Sequence, residues 1–98
     1  MFVSVILDMS SDEHREAAEK ILKIFAFKEG GKNIYESLTI GETTLARLKR
    51  DLDKISDSYD VIYFYQFPME QTLVVSSLIK KRWKRRVIKG DMTPPDVQ

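Results

Sequence analysis

The first seven residues, Met1-Phe2-Val3-Ser4-Val5-Ile6-Leu7, form an apolar run broken only by Ser4, and Asp8 ends it. A run of this length, rich in β-branched residues, predicts a strand that is covered on both sides or central in a sheet. The rest of the chain must then supply neighbours for both edges of that strand and cover for its faces. Ser10 and Glu13 are spaced as a capping box, and Asp12, Glu13 and Glu16 sit where acids suit a helix amino terminus. Ala17, Ala18, Ile21, Leu22 and Phe25 recur at helical spacing, which predicts a first helix from about Ser11 to about Ile24.

Gly30-Gly31 signals a turn, and Asn33 to Ile40 carries strand-type residues, so a hairpin is expected there. Thr43 is placed to cap a second helix with Leu45, Leu48, Leu52 and Ile55 as its core stripe. Val61-Ile62-Tyr63-Phe64-Tyr65-Gln66-Phe67 is the strongest strand signal, expected to stop at Pro68. A last apolar run, Leu73 to Ile79, adds an extra strand and leads into a basic stretch. This order predicts an α+β fold: a ferredoxin-like βαββαβ antiparallel sheet with two helices on one face, plus an extra C-terminal strand. Residues 1–91 are expected to be a single domain that includes the basic strand, with 92–98 a mobile tail.

A chain of 98 residues buries only about two-thirds of its unfolded surface. A bare sheet face and a surplus edge strand therefore point to a homodimer. The absence of cysteine excludes disulfides and thiolate metal sites and fits a cytoplasmic setting. No apolar run is long enough to span a membrane, and the amino terminus lacks signal-peptide features, so no membrane partner is expected. With one His, any metal would be a hard cation on oxygen ligands.

The net charge of +1 conceals an asymmetry. Residues 1–79 carry nine basic against thirteen acidic side chains, and residues 80–98 carry seven against two. All seven basic residues lie between Lys80 and Lys89. If that stretch is extended, Lys81, Trp83, Arg85 and Val87 point one way and Arg82, Lys84 and Arg86 the other. One face is then purely cationic beside one where Trp83 and Val87 pack or stack, an arrangement that suits contact with a nucleic-acid backbone through Lys81, Arg82, Lys84, Arg85 and Arg86. A solvated edge strand protected by charge is the plainer account of the same residues.

Asp8 admits two readings: a ligand for Mg²⁺ or Mn²⁺ in phosphodiester hydrolysis, or a cap on the following turn. Arg15 is placed either to clamp a phosphate or to pair with Glu19 one helical turn on. His14 beside it reads as a surface residue. Tyr63, Phe64 and Tyr65 read as core and dimer face, because the RNA-recognition signature is absent.

The apolar strand ending in Asp8, the capped helix with Arg15, the Tyr35-Glu36-Ser37 strand, the second helix and the aromatic strand opened by Asp60 together resemble CRISPR-associated protein two, over roughly residues 1–80. The sequence departs from that family's pattern at Tyr35, commonly Gln, and at Thr39, commonly aromatic. The resemblance implies a symmetric homodimer that binds double-stranded DNA, or RNA, and scaffolds the CRISPR integrase (CRISPR-associated protein one) during spacer acquisition. It further implies that the extra strand pairs with the partner's sheet. Asp8 would be the metal-linked and catalytic aspartate of a Mg²⁺-dependent endonuclease, if the chain hydrolyses nucleic acid at all. The alternative is a metal-dependent endoribonuclease similar to the virulence-associated protein D toxins.

Overall fold

In the computed structural model, residues 1–90 are described. Residue 91 and the tail expected at 92–98 lie outside the described residues. The elements run β1 (Phe2–Asp8), α1 (Asp12–Ile24), β2 (Lys28–Gly31), β3 (Ile34–Ser37), α2 (Glu42–Ile55), β4 (Val61–Met69), β5 (Thr72–Ile79) and β6 (Arg82–Lys89). The strands form one antiparallel sheet in the order β2-β3-β1-β4-β5-β6. The apolar amino-terminal run is thus an interior strand, with β3 and β4 as its neighbours. No helix among the described residues is long and apolar enough to cross a membrane.

Side chains alternate along a strand, so the pairing register sorts the sheet into two faces. Val3, Val5 and Leu7 point to one face, with Ile62, Phe64 and Leu78 in the same rows, and join Ala18, Leu22, Leu45, Leu48 and Leu52 of the helices in one core. This is the core face. Phe2, Ser4 and Ile6 alternate with them onto the outer face, where Phe67, Tyr65 and Tyr63 pair with them across β4. The two apolar members of that β1 set, Phe2 and Ile6, stay only partly covered, and Phe2 packs against the Phe67 ring at 5.7 Å between centroids.

Local details depart from the sequence reading for identifiable reasons. The cap of α1 is Ser11, whose side chain accepts from the His14 N–H at 3.1 Å. Ser10 is unavailable for that task, because its N–H and hydroxyl both donate to Asp60 at 2.7 Å. The first hairpin turns at Lys32-Asn33 rather than Gly30-Gly31, and Asn33 takes the left-handed backbone at φ 61° that its short polar side chain tolerates. The two glycines lie instead on β2, beside the register shift between Glu29 and Gly31. Gly41, not Thr43, occupies the cap position of α2, and its carbonyl accepts from the Leu45 N–H at 2.9 Å.

β4 continues through Pro68 to Met69. The ladder to β5 shifts register between Gln66 and Met69, and at such an irregularity proline's missing N–H costs no ladder bond. The carboxyl-terminal half then adds two strands where one extra strand is expected. β5 is paired on both sides, so among the described residues the edge strands of the sheet are β2 and β6.

The core explains where stability resides. Leu48 is fully buried, whereas Ile24 at the end of α1 is 80% exposed. Leu48→Ala should cost about 2–5 kcal/mol in urea unfolding, and Ile24→Ala should stay within about 0.5 kcal/mol. Equal effects would contradict this placement of the core.

Candidate nucleic-acid interface

The basic strand exists because of its turn. Lys80 and Lys81 both adopt the left-handed backbone, φ 54° and 61°, as a two-residue hairpin loop requires. That turn sets Arg82 opposite Ile79, and the ladder continues to Lys89 opposite Thr72. All eight residues of β6 are exposed. Its alternation places Trp83, Arg85 and Val87 in rows with the core-face residues Leu78, Ser76 and Val74. Arg82, Lys84 and Arg86 share rows with Ile79, Ser77 and Val75 on the outer face. Two residues along a strand advance by about 6.8 Å, so these three cations form an evenly spaced column.

On the core-face side, α2 holds the strand. Lys81 extends its ammonium to the carboxylate and carbonyl of Asp53, and Trp83 Nε1 donates to Asp53 Oδ2 at 2.9 Å. The hydrogen bond from Lys81, helped by that from Trp83, outweighs burial and holds the Asp53 carboxyl below its ordinary value. Lys81 is therefore neutralised by a carboxylate, unlike its outer-face neighbours. Between α2 and β6 lies a groove of about 640 Å³, lined among others by Lys49, Arg50, Trp83 and Arg85.

Asp8 and Arg15, the other two sequence candidates, share a separate cleft of about 470 Å³ with Asp12, Glu19, Glu29 and Lys32. Arg15 is bound there by Asp12 at 3.5 Å and Glu19 at 3.3 Å, so its guanidinium is engaged by acids. Glu19 also accepts from the Tyr35 hydroxyl, which burial, and next this bond, push above its ordinary value. Asp8 is exposed and belongs to no group of three converging ligands among the described residues. Mg²⁺ demands nearly octahedral oxygen coordination. One exposed carboxylate beside two acids already held by Arg15 does not supply it within a single chain.

The three-residue group that does converge is His14, Asp57 and Asp60, with ligand atoms within 4.8 Å of one another. Asp60 is 1% exposed and heavily bonded. Its Oδ1 accepts from the Ser10 N–H and hydroxyl, and its Oδ2 from the Asp57 N–H at 2.9 Å and His14 Nδ1 at 2.8 Å. A carboxylate only accepts, so His14 carries its proton on Nδ1. Burial pushes the Asp60 pKa up, but the donors from Ser10, Asp57 and His14 outweigh it and bring it down to about 2. With both oxygens satisfied, Asp60 is a structural tie between the ends of β1 and β4.

The chain matches no family model, no curated protein and no solved structure.

Sequence reasoning missed two parts of this arrangement. Lys49, Arg50, Asp53 and Lys54 lie off the apolar stripe of α2, yet they line the groove against β6. Their spacing beside the Leu45-Leu48-Leu52 stripe is the available signal, but it does not reveal which strand arrives there. Asp57 and Asp60 flank a turn before a strand, a pattern that hints at a side-chain-to-backbone tie.

The depressed Asp60 pKa has a direct consequence. A carboxylate whose folded value lies below its unfolded value adds stability that is present above the unfolded value, 3.8, and lost as pH falls toward about 2. That contribution is about 2 kcal/mol. The stability gap between the wild type and Asp60→Asn, measured by denaturant unfolding, should be widest near neutral pH and narrow as pH falls through this window. A constant gap would contradict the role assigned to Asp60.

Proposed function

We propose that this chain is a homodimeric nucleic-acid-binding scaffold that grips duplex backbone with the outer-face cations of β6. The observation that carries this reading is the column of Arg82, Lys84 and Arg86, exposed on a strand with a free edge and carrying no ion pair among the described residues. Fixed cations on a rigid strand release counterions from phosphates without first losing an internal partner. Nothing in the column offers base-edge recognition, so binding should follow backbone charge and shape rather than sequence.

The fold supports the same reading. The first four strands stand in the order β2-β3-β1-β4, with helices in the two long connections and the residues of both helices in one core. We read this as the ferredoxin-like arrangement with both helices on one face, extended by the β5-β6 hairpin. The outer face then keeps Phe2, Ile6, Tyr63 and Tyr65 half-covered, and a second copy packed there would bury them. In that dimer two basic columns border one duplex. The resemblance to CRISPR-associated protein two adds a role: a cytoplasmic scaffold on which an integrase acts.

Hydrolysis requires more than one chain supplies. A Mg²⁺-dependent endonuclease, in the integrase-partner or the toxin form, needs a second Asp8 brought across the dimer axis. We therefore rank binding first and assign no catalytic step.

Fluorescence anisotropy with a labelled duplex between about 50 and 200 mM salt tests the reading. Replacing Arg82, Lys84 and Arg86 together by Gln removes three cations from each subunit and should lower the slope of log affinity against log salt by about 5. Asp8→Ala should bind as the wild type does. An unchanged slope in the triple variant would refute the proposal, and metal-dependent cleavage lost in Asp8→Ala would establish the hydrolytic reading in its place.

A further inference from the structure

The groove between α2 and β6 contains a cation without a carboxylate. Lys49 is half-buried there, and its ammonium donates to Ser76 Oγ at 3.0 Å, which in turn donates to Gln66 Oε1 at 3.2 Å. No acid lies within ion-pair distance of Lys49 among the described residues. Asp53, one helical turn on, is already held by Lys81 and Trp83. Arg85 stands close by, in the same sheet row as Ser76. Burial, and next the Arg85 charge, push the Lys49 ammonium below its ordinary value, so each cation stands at the other's expense. An anion would relieve both.

The groove also presents a ring. Lys49 Nζ lies 5.4 Å from the Phe64 ring centre and 5.8 Å from that of Trp83. Trp83 is 39% exposed, packs against Phe64 at 5.7 Å, and is fixed by its bond to Asp53. A ring held in place before a ligand arrives is a preorganised stacking surface. The volume of about 640 Å³ falls within the roughly 300–1,000 Å³ of small-molecule sites. Two donors remain on the Lys49 ammonium, and Arg85 adds a planar fork suited to phosphate.

We infer that this groove binds a single nucleotide unit, with the phosphate between Lys49 and Arg85 and the base stacked on Trp83. The unit is either a free mononucleotide or one unpaired nucleotide of a strand. Only the second case rests on the scaffold reading, and the site is separate from the outer-face column.

Trp83 is the chain's single tryptophan, so its fluorescence reports on the groove alone. The probes are AMP, adenosine, inorganic phosphate and a short single-stranded oligonucleotide. AMP or the oligonucleotide should quench the emission saturably, and adenosine and phosphate should each bind at least about tenfold more weakly. Quenching by AMP identifies the free nucleotide as a ligand, and quenching by the oligonucleotide alone identifies the strand as its source. Lys49→Met should weaken that binding by at least about tenfold, and Arg85→Gln is a second variant outside the core. With AMP as the probe, the triple outer-face variant should quench as the wild type does, whatever becomes of its duplex binding. Absence of saturable quenching with both nucleotide probes, or equal affinity in the Lys49 and Arg85 variants, overturns the inference.

Discussion

Asp53 holds the basic strand in place. A strand with eight exposed residues and five cations among them repels itself and gains little from burial. The ladder to β5 pairs it along its whole length, and one carboxylate on α2 ties its start to the helix by taking Lys81 at the turn and the Trp83 indole on the strand. The pairing register sets which residues face which way, and the bond from Trp83 to Asp53 fastens the inward side to α2. Arg82, Lys84 and Arg86 are then obliged to face outward, and Trp83 to close over Phe64. Ladder and carboxylate together thus convert a run of like charge into a surface with two distinct sides.

Those sides carry different chemistry. The outer column carries no ion pair among the described residues and follows the strand rise, so it suits an extended polyanion. The inner side has depth, a ring and a half-buried ammonium, so it suits a compact ligand. Asp8 lies on the outer face in the row of Val61, Ile79 and Arg82. Three inter-strand steps of about 4.8 Å separate the acid from the nearest basic column, too far for an ion pair. A second copy against this face would decide what Asp8 meets.

The parts of the fold written in local pattern were legible in the chain. The apolar run of β1, the Leu45-Leu48-Leu52 stripe and the aromatic alternation of β4 each fix which side of an element is buried, and those sides do form the core. The caps and turns were less so. Ser10 and Ser11 are equally good cap residues by type, and the choice falls to Asp60, fifty positions away. Likewise Lys80-Lys81 carries no Gly or Asn, yet the turn forms there because Asp53 and the β5-β6 ladder hold it. The pairing of α2 with β6 joins positions about thirty residues apart and has no periodic signature at all.

Mapping backbone amide shifts on titration with a short blunt duplex tests the central claim most directly. The account predicts perturbations concentrated on residues 82–89 and the adjoining residues of β5, larger for the outward-facing positions. Perturbations centred instead on the Asp8-Arg15 cleft or the β2-β3 hairpin, with β6 silent, would contradict it.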